Sequence, residues 1–188
     1  MKLFPPDVLP DEEEEEGLPV SVWNASPPLQ DLNVQLGITA PSSPDNNTAG
    51  SGTLASVSAG NGTFNVEGFT FSGGGRYVQA VYVCLLPHLE AVERCDNVGW
   101  LPADLSPSPE EFQQALLEPG AEVGRFYSWS TWNVTVAVPG PPPSAGLYNL
   151  VARAIDVSGN SMPQTSCPIW NWRGVMNNAW MSLPVSVE

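Results

Sequence analysis

Short runs in which every second residue is apolar constrain this chain more than any other feature. In WSTWNVTVAV (residues 129–138), Trp132, Val134, Val136 and Val138 fall on one side of an extended chain. A strand puts successive side chains on opposite faces, so this period of two predicts a half-buried strand; a helix would scatter the same residues around its axis. LNVQLGI (32–38) alternates in the same way through Leu32, Val34, Leu36 and Ile38. LYNLVARAID (147–156) places Tyr148, Leu150, Ala152 and Ala154 on one face. FNVEGFTF (64–71), RYVQAVYVCLL (76–86) and MSLPVSV (181–187) complete the series. In 76–86 the alternation puts Val78, Ala80, Tyr82 and Cys84 on one face and Tyr77, Val81 and Val83 on the other. Short strands with turn-rich joins, six or seven in number, predict an all-β fold: an antiparallel β-sandwich.

Between these runs the chain breaks often. Its 20 Pro and 17 Gly suit many turns, and seven Trp with 42% hydrophobic residues suffice for a sizeable core. Ser72-Gly73-Gly74-Gly75 joins two strand-like runs, lacks the Lys-Ser/Thr of a phosphate-binding loop and opens no helix, so a tight turn is predicted there. Residues 40–62 are predicted to be loop, and 87–124 a long polar insert with little β character. Within that insert PEEFQQALLEP predicts a short helix, capped by Ser108 with Pro109 in its first turn. Residues 1–27 carry several Pro and a run of Glu at 12–16. Like charges in a row repel and cannot bury, so this acidic N-terminal tail is predicted to be disordered, with one domain following over 28–188.

The charge balance excludes several functions. Net charge is −14, from 20 acids against six bases, which are Lys2 and the arginines. Such a surface offers no basic stripe for nucleic acid or for an anionic membrane, so neither is an expected partner. No apolar run approaches the roughly 18 residues that a membrane-spanning helix needs. The N-terminus lacks the apolar stretch of a signal peptide, which favours an intracellular or organellar location over secretion. Sequons of the form N-x-S/T occur at Asn24, Asn46, Asn61 and Asn133, as chance supplies in a chain rich in Asn, Ser and Thr.

Few residues suggest catalytic or metal chemistry. Cys84, Cys95 and Cys167 are widely spaced, with no C-x-x-C and no Cys/His cluster, so buried free thiols are predicted and no thiolate metal site. His88 lies in a Pro-flanked insert without a Ser and Asp pattern around it, and is predicted to be an exposed loop residue. No separated pair of acids is framed by apolar residues, as glycoside hydrolysis requires. No catalytic residue and no metal ligand is therefore expected in this chain.

One stretch remains, CPIWNWRGVMNNAW (167–180). It holds Trp170, Trp172 and Trp180, Asn171, Asn177 and Asn178, and Arg173. Part of it suits a loop that plugs one end of a sandwich, since Trp buries a large area and its N–H needs an acceptor such as Asn. Arg173, between Trp172 and Gly174, suits planar, bidentate binding of an oxyanion or carboxylate. It equally suits a clamp on a carboxylate of the same protein. The residues alone leave the two readings even.

The same stretch closely resembles the C-terminal signature of the sulfite oxidase family of molybdenum-cofactor oxidoreductases, in which a PIWN-x-RG-x-x-x-NAW pattern recurs. Other pieces fall in the same order. LNVQLGI resembles the family's LNV-x-S-x-I strand, and FTFSGGGRYVQAVYV resembles its YSGGGR-x-V-x-RVEV hairpin. YSWSTWNVTVAVP resembles the Y-x-W-x-x-W strand, and RAIDVSGNSMPQ the RA-x-D-x-x-x-N-x-QP run before the signature. The match spans residues 29–188, with 40–62 and 87–124 as poor regions.

The resemblance implies an immunoglobulin-like sandwich that serves as a dimerisation domain, and hence a homodimer. It also implies an upstream molybdenum-cofactor domain whose own Cys ligates the metal, so that this chain by itself binds no cofactor. By the same resemblance Arg173 completes a sulfite/sulfate pocket, with Trp170, Asn171, Trp172, Gly174, Asn178 and Trp180 as its scaffold. Nitrate reductases of the family tend to carry Met where Arg173 stands, so the Arg points to oxidation of sulfite to sulfate in the full enzyme. The chain departs from the family at the hairpin. No D-G-G-x-T-W turn follows Val83, and Gln79-Ala80-Val81 stands where R-V-E-V usually supplies an Arg. Three other readings compete: a secreted immunoglobulin- or fibronectin-like binding module, the equivalent domain of a nitrate reductase, and a sugar-binding module presenting Trp170 and Trp172.

Overall fold

A computed structural model describes residues 31–42, 55–59, 62–88, 90, 95–118, 129–139, 146–170 and 176–188. The expected acidic tail and the boundary near residue 28 lie outside the described residues. Within them the chain forms β1 (Gln35–Ala40), β2 (Ala55–Val57), β3 (Thr63–Phe71), β4 (Val78–Pro87), β5 (Leu101–Pro102) and β6 (Asp104–Ser106). There follow β7 (Ser130–Ala137), β8 (Gly146–Asp156) and β9 (Met181–Val187). Two helices, α1 (Cys95–Val98) and α2 (Pro109–Leu117), interrupt the strands. One sheet has the order β1-β3-β7-β6 and the other β2-β9-β8-β4-β5, and together they make the all-β sandwich expected from the alternation.

The six expected strands are all present, and the differences have local causes. β1 starts at Gln35, three positions after the alternation begins, because the segment before it has other partners. The Leu32 carbonyl accepts from the Gly73 N–H, and the Val34 carbonyl accepts from the Asn178 side chain. In β4 the ladder to β8 shifts register between Val78 and Ala80, so Gln79 is a bulge. The extra residue changes face, and Val78 joins Val81, Val83 and Leu85 in the main core, leaving Tyr82, Cys84 and Leu86 on the outer side. The face assignment made for Val78 from simple alternation is thereby corrected. β2 falls in the stretch 40–62 that the sequence predicts to be loop. It has three residues and pairs parallel to β9, Ala55 with Val185 and Val57 with Val187, so this edge of the sandwich is not antiparallel. The insert likewise contributes β5 against β4 and β6 against β7.

The core is built by the inward faces of both sheets. Trp132 is its largest buried side chain, and its Nε1 donates to the Phe69 carbonyl at 3.1 Å. Gly68 makes room for it: a Cβ there would overlap both the Trp132 indole and the Gly37 carbonyl. Opposite stand Val83 and Leu85 of β4, Leu150 and Ala152 of β8, and Val185 of β9. The predicted helix forms as α2, with the Ser108 Oγ accepting from the Glu111 N–H and the Glu111 carboxylate accepting from the Ser108 N–H. This capping box satisfies two N–H groups that a helix start leaves open. Phe112 then packs on Tyr77 with ring centroids 5.2 Å apart.

A second, smaller apolar cluster covers the outer face of the five-stranded sheet. Cys84 and Leu86 of β4, Val151 of β8 and Cys95 of α1 are all buried in it, with Trp100 and Trp180 packed against them. The insert over 87–124, polar by composition, thus supplies a lid to one strand face.

Candidate functional site

The motif-like segments lie far apart in the chain, and the ladders gather them at one end of the sandwich. Gln35 pairs with Phe71, Thr70 with Ser130, Val78 with Asp156 and Ala152 with Met181. The starts of β1, β4, β7 and β9 and the ends of β3 and β8 therefore coincide. At this end sit LNV, SGGGR, the RAIDVSGN turn and the NAW of the C-terminal stretch.

Asp156 is the hub of this end. Its side chain is fully buried, and Oδ2 accepts from Ser72 Oγ at 2.8 Å, Arg76 Nε at 2.9 Å and Asn160 Nδ2 at 2.9 Å. Oδ1 accepts from the backbone N–H groups of Ser158 at 2.9 Å and Asn160 at 3.0 Å. Burial pushes the carboxyl up, but the hydrogen bonds from Asn160, Ser72 and the backbone of Asn160 and Ser158 outweigh it and hold Asp156 below the usual carboxylate range. The Ser72–Gly75 run is the expected tight turn, with Gly74 and Gly75 at φ 66° and 75°, a region that suits glycine. Arg76 adds an exposed contact of 3.6 Å to Asp31. This guanidinium–carboxylate node joins three motif segments and is structural.

The C-terminal stretch is held by polar groups of two of its residues. Asn178 is buried, and its Nδ2 donates to the Val34 carbonyl at 3.1 Å. Its Oδ1 is buried without a partner. Trp180 donates from Nε1 to the Met162 carbonyl at 2.9 Å and from its backbone N–H to the Pro163 carbonyl at 2.9 Å. The Trp132 and Trp180 indoles donate to backbone carbonyls and the Trp100 indole to the Asp96 carboxylate at 2.8 Å, where the composition suggested Asn.

Trp180 also meets Trp100 edge to face at 5.1 Å, and the Arg153 guanidinium lies 4.2 Å from the Trp100 ring centre and 5.2 Å from that of Trp180. Arg153 Nε is buried without a hydrogen-bond partner. No local pattern signals this stack, because Trp100 reaches it from the insert.

Of the expected pocket scaffold, the structure brings Asn178 and Trp180 to the same end, and Trp170 is half-buried after a 3-10 turn over Cys167–Ile169. Asn171, Trp172, Arg173 and Gly174 lie outside the described residues. The residues at hand do not fit a resident molybdenum centre. No group of three or more His, Cys, Asp or Glu that could hold a metal occurs among the described residues, and Cys84 and Cys95 are free thiols buried in one apolar cluster. Cys167 is exposed, contrary to the expected burial of all three thiols. His88 is exposed as expected, and pairs with the Asn149 side chain at 3.1 Å.

Comparison with known proteins agrees with the motif order. The chain is 29% identical to mitochondrial sulfite oxidase of Rattus norvegicus over 165 residues, covering 88% of this chain and 24% of that protein. It is 30% identical to mitochondrial sulfite oxidase of Homo sapiens over 166 residues, again covering 88% of this chain and 24% of that protein. NADH nitrate reductase of Hordeum vulgare is 26% identical over 126 residues, 66% of this chain and 11% of that protein. The chain thus spans about a quarter of the length of the sulfite oxidases it matches. The profile of the Mo-co oxidoreductase dimerisation domain matches residues 26–188, and the chain belongs to that family.

Proposed function

We propose that this chain is the dimerisation and pocket-completing domain, over residues 28–188, of a sulfite oxidase-like molybdenum-cofactor enzyme. The acidic residues 1–27 form a linker ahead of it. The molybdenum cofactor belongs to an adjoining domain, and this domain pairs with a second copy of itself. Arg173 provides charge-assisted, bidentate hydrogen bonds to sulfite or sulfate, while Trp170, Asn171, Trp172, Gly174, Asn178 and Trp180 hold its loop.

One observation carries this reading. The stretch containing Arg173 returns to the sandwich at Asn178 and Trp180, which bind the backbone of Val34, Met162 and Pro163 at the end where the family's motifs gather. Arg76 is bound by Asp156, and Arg153 is stacked on Trp100, so both are engaged within the domain. The orphaned Asn178 Oδ1 offers the loop an acceptor.

The test is Arg173→Met in the full enzyme containing this domain. Losing a charge-assisted pair to the anion raises KM for sulfite about tenfold or more, as expected for about 1.5–3 kcal/mol. An unchanged KM sinks the pocket assignment. The nitrate reductase match favours a second reading, in which the full enzyme reduces nitrate and the variant improves rather than impairs turnover of that anion.

A further inference from the structure

The outer-face cluster contains two nucleophilic side chains that the proposed pocket does not use. Cys84 lies in β4 and Cys95 opens α1, and both are buried, at 1% and 0% exposure. Nothing in their spacing announced it, yet the two thiols pack together in one buried cluster with Leu86 and Val151, where the S–H of one can bond the sulfur of the other. The Cys95 S–H holds the Cys84 thiol below its ordinary value, against burial and the Asp96 charge. The same bond, with burial, pushes Cys95 well up, and the neighbouring Arg153 guanidinium opposes this only in part. The first proton lost by the pair therefore leaves a Cys84 thiolate steadied by Cys95, and the thiolate is the nucleophilic form.

We propose that Cys84 and Cys95 are a peroxide-oxidisable dithiol that closes to an intramolecular disulfide, tying α1 to β4. First the Cys84 thiolate attacks hydrogen peroxide. An S–O bond forms, the O–O bond breaks, the sulfur gives up two electrons, and the departing hydroxide takes a proton to become water. The Cys95 sulfur then attacks the sulfenic sulfur. The S–S bond forms, the S–O bond breaks, and the hydroxyl leaves with the Cys95 proton as a second water. Two thiols and one peroxide become one disulfide and two waters. A peroxide suits this site because it is little larger than water, and the pair lies beneath Trp100 and Trp180. α1 is a single turn, too short to hold itself, so local opening admits the oxidant.

The experiment treats the purified full chain with hydrogen peroxide, alkylates the remaining thiols under denaturing conditions and maps them by mass spectrometry. The expected result is joint loss of Cys84 and Cys95, a cross-linked peptide joining them, and recovery of both with dithiothreitol. Cys167→Ser leaves that cross-link unchanged. In Cys95→Ala the Cys84 oxidation stops at a sulfenic acid that dimedone traps, and the wild-type mapping stands on its own if this variant does not fold. The proposal is overturned if Cys84 and Cys95 both remain alkylatable after Cys167 has oxidised. It is overturned equally by a sulfinic acid at Cys84 beside a free Cys95, or by a disulfide that uses Cys167.

Discussion

Arg76 and Arg153 both flank the five-stranded sheet, and each guanidinium is drawn out of water by different means. Arg76 meets a fully buried carboxylate, Asp156, whose oxygens accept five hydrogen bonds in all. Arg153 meets ring faces, with Trp100, Trp180 and Tyr82 within 5.6 Å, and leaves Nε unsatisfied. The carboxylate fixes direction and joins turns from three parts of the chain. The rings supply attraction over a broad range of angles and fix little. A buried charge with its partner removed is costly, whereas a guanidinium on aromatic faces can be exchanged for an apolar side chain of similar length. Arg153 and Asp156, three residues apart near one end of β8, thus differ in what they tolerate.

The largest effect that this contrast predicts is for Asp156→Ala. It leaves Arg76, Ser72 and the 158–160 amides without their acceptor, and costs about 3–5 kcal/mol in urea denaturation. A loss below about 1 kcal/mol would show that Arg76 is satisfied by turning to Asp31, and the contrast would collapse. Acid stability is the next discriminator. The pKa of Asp156 is depressed in the folded state, so its contribution is complete above the unfolded value of about 3.9 and is lost as pH falls through the folded value. Asp156→Asn therefore flattens the acid limb below about pH 4, and Arg153→Met leaves that limb as in the wild type. Equal acid limbs in the wild type and Asp156→Asn would refute the assignment. The smallest effect belongs to Arg153→Met, which keeps the packing on Trp100 and costs about 1 kcal/mol. A loss approaching that of Asp156→Ala would mean the stack is as demanding as the carboxylate node.

Much of the fold was legible because it depends on neighbours in sequence. The alternation through Trp132, Val134 and Val136 placed β7, and the Ser108-Pro109-x-Glu111 order placed α2 and its cap. β2 was not legible, since three residues in a Ser- and Gly-rich stretch become a strand only by lying beside β9. The face change in β4 escaped for a similar reason: the bulge at Gln79 exists only against β8. Within the candidate site, the tie of Asn178 to Val34 spans most of the domain, and no local pattern encodes it. The motif order identified the C-terminal stretch, but periodicity and composition alone left Arg173 between two readings.

The sequence by itself determined which segments are strands, where the chain turns and which family the domain resembles. Those follow from alternation, Gly and Pro placement and ordered motifs, all of which act over a few residues. Only the tertiary structure decided that Arg76 and Asp156 pair, that the insert carries Trp100 onto Arg153, and that Cys84 and Cys95 share one buried cluster. These contacts join residues brought close by sheet register and by burial of the insert. Their energies depend on which charges and thiols share a dry space, and a linear sequence does not state that.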